Sequence, residues 1–450
     1  MAETKATGAR KKTSQNRGQT QRSNHSFDSW SKGSSKVKKA ERSPQNTQKK
    51  APQKKQAPEP EKNTIKKKIK YKMFSLGEGL DIQLTVLIFM LLAAGLVMLF
   101  SASHASSMEY QGGDSYHFIR RQAQFAAVGV VVMFLISFFD YHQYHKLAWL
   151  FVAITLVMLL MTIIFRGTPI APLKGGDASR WLNLGFVELQ PSEIAKFSLI
   201  LMYAHMISVN FDKMHTFTKG FLPFFGLLAV FGVLIVLERH VSATIIIAMI
   251  AVIIMLIGGT KLRYILGLGG IGVAGLVSLV MFSDKFAYAM RRVQGWIDPF
   301  NPPAGVDTHQ TKQSLYAIGS GRLLGVGLGQ SRQKYMYLPE PQNDFIFAIV
   351  CEELGFIGAL IIIILFTLLI WRCIYVSLHA KDKFGIMLGL GIAFQLGLQI
   401  VLNICVVTNV IPNTGIGLPF FSYGGTALMI LLAEMGVLLQ ISRSSNIEKI

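Results

Sequence analysis

The chain has 450 residues, of which 51% are hydrophobic and only 16% are charged. Many of its apolar runs are as long as the roughly 17–25 residues that a helix needs to cross a membrane. This composition excludes a string of soluble domains and predicts an all-α polytopic membrane protein. The formal net charge of +20 at pH 7 is spread unevenly along the chain.

Most of the positive charge lies in residues 1–72, which hold 21 Lys and Arg against 5 Asp and Glu. Residues 1–75 are polar and lack aliphatic periodicity, so we expect a disordered tail with no cleaved signal peptide. A basic tail before a first membrane helix predicts a cytoplasmic N-terminus. The lysine-rich cluster 66–72 should be attracted to anionic membrane lipids by about 1 kcal/mol per charge. No motif supports a nucleic-acid partner.

Residues 76–450 are predicted to form one domain of about ten transmembrane helices. The expected spans lie near residues 82–102, 122–139, 147–165, 193–209, 221–237, 241–258, 264–283, 345–371, 384–408 and 423–442. An even number of spans returns the C-terminus to the cytoplasm, where the N-terminus is also expected.

The longest polar stretch, residues 284–344, separates the seventh and eighth predicted helices. With a cytoplasmic N-terminus it should therefore form an extracytoplasmic loop. It is far longer than a helix connection needs. Its glycines at 321, 325, 327 and 329 allow close backbone approach to a ligand, and its basic residues suit an anion. We expect this loop to handle an anionic, lipid-linked substrate at the membrane surface.

Polar groups inside the predicted spans cost free energy, so each needs a reason. Glu193 and Lys196 are three residues apart on the fourth helix and can pair, either to anchor the helix or to line a polar cavity. The turn at residues 238–240 either decorates the membrane interface or faces the same cavity. Glu352, Glu353 and Glu434 are each expected to pair with a polar partner rather than to take part in catalysis. The three cysteines are expected to act as small buried hydrophobic residues.

The connection at residues 409–425 has two prolines, several glycines and interleaved aromatic residues. Such a segment is typical of a shaped, partly re-entrant loop, which a membrane protein tolerates where protein or a water-filled cavity covers it. We expect it to form a wall or gate of the outer cavity.

Three segments carry a specific resemblance: ASRWLNLGFVELQPSEIAK at 178–196, QSLYAIGSGRLLGVGLGQSRQKYMYLPEPQNDFIFA at 313–348, and IPNTGIGLPFFSYGGT at 411–426. Together they resemble the SEDS family (shape, elongation, division and sporulation proteins), its division and sporulation branches more than its elongation branch. The resemblance covers nearly all of residues 80–442.

The resemblance implies a peptidoglycan glycosyltransferase that joins lipid II units into glycan strands at the outer face of the bacterial cytoplasmic (inner) membrane. It implies septal wall synthesis, a class B penicillin-binding protein transpeptidase as partner, and other divisome proteins. Such chemistry needs a carboxylate base and positive charge at the departing diphosphate. A divalent cation, Mg²⁺ or Mn²⁺, would assist that departure, but no ligand cluster specifies one.

The expected catalytic aspartate is missing from its family position. The family pattern is D/N-P-x-x-D-P, whereas this chain reads DPFNPP at 298–303 and has Pro302 where the aspartate stands. Asp307 or Asp298 could supply the base after a shift of the loop, or neither does so. The turn at 238–240 also departs from the family's Gln-Pro-Asp.

Other residues match family positions more directly. Trp181, beside Arg180, is either tied to activity or anchored at the interface, and Glu193 and Lys196 match a polar pair. Arg332 and Lys334 are candidates for the diphosphate, with a solvated basic face as the alternative. Asn413 and Ser422 are further substrate-binding candidates, and Asp344 is expected to anchor the eighth helix.

Two other functions are compatible with ten helices and an outer cavity: a lipid II transporter (flippase) and a non-catalytic divisome scaffold. A transporter should have repeated halves and substrate charges near the membrane midplane. The chain has no clear internal repeat, and its strongest polar cluster lies outside the spans. These features favour the enzyme, and they leave vegetative division and sporulation equally open.

Overall fold

The described part of the chain is mostly helical and has almost no strand, as the sequence predicts. In this computed structural model it comprises residues 79–173, 179–185, 187–267, 269–270 and 286–445, all within the unit Lys68–Ile450. A two-stranded antiparallel hairpin, β1 (Leu182–Asn183) and β2 (Glu188–Leu189), is its only sheet. The predicted tail, residues 1–75, lies outside the described residues.

The helices follow one another closely along the chain. Their bounds are α1 (Ile82–Tyr110), α2 (His117–Phe138), α3 (His142–Ile164), α4 (Pro191–Asn210), α5 (Phe217–Gly220), α6 (Leu222–Leu237), α7 (Val241–Ile257), α8 (Phe286–Ile297), α9 (His309–Gly321), α10 (Ile346–Leu378), α11 (Lys383–Val407) and α12 (Gly425–Ser444). A 3₁₀ turn, Phe211–Lys213, follows α4.

Among the described residues, eight helical stretches are long and apolar enough to cross a membrane. They are α1, α2, α3, α4, the α5–α6 pair, α10, α11 and α12, and the apolar α7 is shorter. Nine of the predicted spans therefore coincide with helices. The remaining predicted span, residues 264–283, falls mostly on residues that the structure does not describe, so the total of ten stays a prediction.

The helices approach each other closely where small residues face a neighbour. Helix α2 packs along α12, α3 and α11 pack on α4, and α1 and α11 pack on α10. A Cβ on Gly436 of α12 would stand 2.5 Å from the carbonyl oxygen of Met133, and one on Gly391 of α11 would stand 2.4 Å from the Ile200 side chain. Such contacts hold membrane helices together, because lipid is as apolar as the helix surfaces.

Helix α10 is broken at Gly355, which the sequence did not predict. Its φ of 69° and ψ of −170° interrupt the helical backbone. The segment 322–327 fills the gap: the amides of Val326 and Gly327 donate to the carbonyls of Glu352 and Glu353 at 3.0 and 3.1 Å. In return, the amides of residues 356 and 357 donate to the carbonyls of residues 322 and 323. The predicted span 345–371 is confirmed by α10, and the break within it is a feature that the sequence prediction lacks.

The break explains why the long polar stretch is not a simple surface loop. Residues 284–344 contain α8 and α9, and α9 packs against α10. Gly321 ends α9 so close to α10 that a Cβ there would stand 1.9 Å from the carbonyl oxygen of Cys351. The second half of the stretch is therefore built into the helix bundle.

We expect Gly355→Ala to destabilise the protein. A Cβ at this position would stand 2.2 Å from the Gly325 amide nitrogen, and the positive φ alone costs a side-chain-bearing residue about 1–3 kcal/mol. Thermal unfolding in detergent should give a lower melting temperature than the wild type. Gly319→Ala in α9, where nothing lies within 4 Å of a new Cβ, is the matched control and should not melt earlier. Equal melting of Gly355→Ala and wild type would contradict this account of the break.

Candidate active site

A cavity of about 650 Å³ lies where α2, α4, α7, α11 and α12 meet the segments that connect them. We call it the polar cavity. Its wall includes charged and amide side chains as well as apolar ones. The polar lining comprises Arg121, Arg180, Trp181, Glu188, Gln190, Glu193, Lys196, His240, Ser242, Glu340, Asn343, Asp344, Gln395, Gln399, Ser422, Tyr423, Thr426 and Glu434. Five of the predicted site residues, Arg180, Trp181, Glu193, Lys196 and Ser422, are thus brought together.

An ion pair on α4 forms one part of the wall of the polar cavity. Pro191 begins this helix, and Lys196 Nζ lies 2.8 Å from Glu193 Oε2. Lys196 is only 2% exposed. Both members of the pair line the cavity, which is the second of the two alternatives, and the anchoring of the helix stays a prediction. Gln395 of α11 donates to both carboxylate oxygens of Glu434, at 2.9 and 2.8 Å, which confirms the predicted pairing of Glu434.

The turn between α6 and α7 supplies another part of the wall. Arg180 Nη2 donates to the Arg239 carbonyl at 2.8 Å, and His240 Nδ1 lies 3.1 Å from Ser192 Oγ. Burial, together with the positive charges of Arg180 and Lys196, lowers the pKa of His240 to about 3, so the imidazole is neutral. Burial raises the pKa of Glu238 to about 8. The turn therefore faces the cavity rather than only decorating an interface.

The connection between α11 and α12, residues 408–424, forms the opposite wall, as the sequence predicts. We call it the α11–α12 link. Ser422 Oγ donates to the Asn343 carbonyl at 2.5 Å, and the Tyr423 amide donates to the Gln342 carbonyl at 2.8 Å. Asn403 Nδ2 donates to the carbonyls of Asp344 and Ile416. These bonds tie residues 342–344 to the link.

Asn413 supports the link from outside the cavity. It is exposed, its Nδ2 donates to Gln310 Oε1 at 3.1 Å, and its Oδ1 accepts from the Gly415 amide at 3.0 Å. Gly415 is a cavity residue, whereas Asn413 is not among the described residues of the lining. Its predicted contact with substrate remains a proposal.

Neither Asp307 nor Asp298 is among the described residues that line the polar cavity. Both are exposed. The Asp298 carboxylate accepts from the Asn301 amide, the Asn301 side chain and the Phe300 amide, and these bonds lower its pKa. Asp307 Oδ1 accepts from the His309 amide at 2.8 Å, at the start of α9. Helix α9 contacts the link through Gln310, which accepts from Asn413.

Lys334 is held away from the cavity in a buried network. Its Nζ lies 3.1 Å from Glu353 Oε1, 3.1 Å from Ser101 Oγ and 2.6 Å from the Gly329 carbonyl oxygen. Arg332 is exposed, and its amide donates to Glu352 Oε1 at 3.0 Å. The predicted pairing of Glu352 and Glu353 is confirmed. Lys334 is therefore buried rather than part of a solvated basic face, and its contact with a diphosphate stays a prediction.

Asp344 takes a position that the sequence reasoning missed. The residue at the N-cap of α10 is Phe345, and Asp344 lines the cavity, with Oδ2 3.7 Å from where a Cβ on Gly415 would stand. Burial raises the pKa of its carboxyl to about 6, with the neighbouring Glu340 adding to the effect. Its place in a polar run directly before a membrane helix is the signal that the sequence offers, and the same signal is also typical of a helix anchor.

The described residues contain no group of three or more His, Cys, Asp or Glu side chains arranged to hold a metal ion. A divalent cation at the diphosphate therefore remains a prediction from the chemistry of the leaving group.

Sequence comparison relates the chain to proteins of bacterial wall synthesis. The FtsW, RodA and SpoVE family, described as "cell cycle protein", matches residues 82–447. Stage V sporulation protein E of Bacillus subtilis (strain 168) is 38% identical over 366 residues, which cover 81% of this chain and 98% of that protein. The probable peptidoglycan glycosyltransferase FtsW of Geobacter sp. (strain M18) is 37% identical over 368 residues, covering 81% and 97%.

Solved structures share the fold. A chain from a study of the "structural coordination of polymerization and crosslinking by a peptidoglycan synthase complex" matches with a TM-score of 0.67 and 24% identity, covering 81% of this chain and 98% of that one. The rod shape determining protein RodA of Thermus thermophilus matches with a TM-score of 0.59 and 23% identity, covering 82% and 99%.

We expect Lys334→Met to unfold at a lower temperature than the wild type. The change leaves the buried Glu353 carboxylate without its cation, which typically costs about 3–5 kcal/mol. Adding Glu353→Gln should restore much of the loss, and Arg332→Met should change stability by no more than about 0.5 kcal/mol. If Lys334→Met instead kept its stability and lost affinity for lipid II, Lys334 would be a substrate contact after all.

Proposed function

The chain belongs to the FtsW, RodA and SpoVE family of cell cycle proteins, and from this premise we propose how it acts. It is a peptidoglycan glycosyltransferase of cell wall synthesis. We propose that it polymerises lipid II at the outer face of the bacterial cytoplasmic membrane, with both termini in the cytoplasm. The observation that carries the proposal is the polar cavity, which places buried positive charge beside apolar walls.

The positive side of the cavity suits a diphosphate. In the proposed reaction the 4-hydroxyl of an acceptor sugar attacks the anomeric carbon of the donor, and polyprenyl diphosphate leaves. Negative charge grows on the leaving group, so fixed cations nearby stabilise the transition state, and they do so more strongly away from water. Lys196 and Arg180 are such cations, and Arg121 of α2 lies in the same lining.

The apolar side of the cavity suits the rest of an amphipathic substrate. Phe125, Ile246, Ile430 and Leu431 belong to transmembrane helices and also line the cavity. A polyprenyl chain can pass along such residues while the sugar and diphosphate stay among the polar groups. A soluble sugar nucleotide would not need this combination, so we propose a lipid-linked substrate.

We also propose a transpeptidase partner of the class B penicillin-binding type. Its support is the family membership and the fold shared with a chain of a peptidoglycan synthase complex. A role at the division septum, with other divisome proteins, fits the FtsW relatives, and a sporulation role fits the B. subtilis relative.

We expect Lys196→Met to lower lipid II polymerisation by the full-length chain, purified with its transpeptidase, by about 10²–10³-fold. The reason is that the change removes a buried cation from the cavity wall. Lys213→Met is the matched control, because Lys213 is exposed beyond the other end of α4 and should leave the rate unchanged. Labelled glycan strands resolved on a gel give the rate.

Two results would contradict the proposal. One is polymerisation by Lys196→Met at the wild-type rate. The other is a folded wild-type complex that makes no strands while a control polymerase does, which would bring the transporter and scaffold alternatives forward.

A further inference from the structure

We propose that Asp344 is the general base that accepts the proton of the attacking hydroxyl. This inference rests on the proposed function. As the acceptor oxygen bonds to the anomeric carbon, the bond from that carbon to the diphosphate breaks and its electron pair leaves with the diphosphate. The hydroxyl proton passes to the Asp344 carboxylate, which later releases it to water.

The two aspartates nearest the family position are not among the described residues that line the polar cavity. Pro302 stands where the family resemblance would place a catalytic aspartate, and proline has no group that accepts a proton. Asp298 and Asp307 are exposed and are not among the described residues of the lining. The Asp298 carboxylate also accepts three hydrogen bonds within its own turn, which weakens it as a base.

Hydrogen bonds to the backbone hold Asp344 in place. Its carbonyl accepts from Asn403 Nδ2 at 2.7 Å, and the preceding carbonyls of Asn343 and Gln342 accept from Ser422 and Tyr423. With the main chain fixed on both sides, the side chain is directed toward Gly415 in the cavity wall. A general base needs this kind of fixed position within reach of the reacting hydroxyl.

The other carboxylates of the cavity lining either have a hydrogen-bond or ion-pair partner or are exposed. Glu193 is paired with Lys196, and Glu434 accepts from Gln395 at both oxygens. Glu340 Oε2 accepts from the Asn343 side chain at 2.8 Å, and Glu188 is exposed on the hairpin. Asp344 is therefore the cavity carboxylate best suited to take up a proton.

The electrostatics of the cavity suit this role. Burial raises the pKa of Asp344 to about 6, and the negative charge of Glu340 adds to the rise, so the carboxyl is ionised at neutral pH. The other titratable groups of the cavity lining come from the surrounding elements, and His240 among them is neutral. The rest are Arg121, Arg180, Glu188, Glu193, Lys196, Tyr423 and Glu434. Because the base must be ionised, activity should fall as the pH drops through about 6.

The experiment compares variants of the full-length chain, each purified with its transpeptidase, in lipid II polymerisation and lipid II binding. We expect Asp344→Asn to lower the rate by about 10²–10⁴-fold while lipid II binding stays within about threefold. Asp344→Glu, which keeps a carboxylate, should recover part of the rate. Asp114→Asn is the matched control, since Asp114 is a half-buried loop aspartate before α2 and not part of the cavity lining.

The pH dependence separates a base from a merely structural residue. Glu340→Gln removes the neighbouring negative charge, so the pKa of Asp344 should fall and the acidic limb of the rate profile should move to lower pH. An acidic limb that stays in place would overturn the proposal, even if Asp344→Asn failed to fold. So would an Asp344→Asn rate within threefold of the wild type, above all if Asp307→Asn or Asp298→Asn abolished the rate. A wild-type complex that makes no strands is a failure of the proposed function itself.

Discussion

A membrane supplies no water to a broken helix, so every amide and carbonyl that a break frees must find a partner within the protein. The rest of this structure depends on how that constraint is met at Gly355. The helix α10 opens there, and the segment 322–327 takes up the freed groups through four backbone hydrogen bonds. A segment of the long polar stretch thus becomes part of the bundle, held by the same type of bond that holds the helices.

The break at Gly355 also affects how the wall of the polar cavity is built. Once 322–327 is fixed, the following residues carry Lys334 into its buried contacts with Glu353 and Ser101. The chain then continues to residues 340–344, which lie against the α11–α12 link and complete the cavity wall opposite α4. A position outside the described cavity lining therefore helps to decide where Asp344 stands relative to Lys196 of α4.

The parts of the fold that follow from local rules could be predicted from the sequence. Apolar runs of membrane length located nine helices, although some predicted ends, such as that of α1, fall well inside the observed helix. The spacing of Glu193 and Lys196 predicted a pair on one helix face. The grouping of Arg180 and Trp181 with that pair came from family motifs, since it depends on contacts between distant segments.

The parts that could not be predicted depend on partners far along the chain. Gly355 sits in an apolar run where a glycine is compatible with a continuous helix, and only the approach of residues 322–327 makes the break stable. Lys334 looks like one more basic loop residue until Glu353 is placed beside it. The local sequence around Asp344 predicts a helix anchor equally well, because its approach to the link depends on Gly415, far along the chain.

The measurement that tests the account most directly is the mapping of a photoreactive lipid II analogue, cross-linked to the protein and located by mass spectrometry. We expect adducts on residues that line the polar cavity, at the start of α4 and on the α11–α12 link. Competition with unlabelled lipid II should remove them. Competable adducts confined to residues 322–337, or to surfaces away from the cavity, would contradict the claim that the polar cavity is where the lipid-linked substrate binds and reacts.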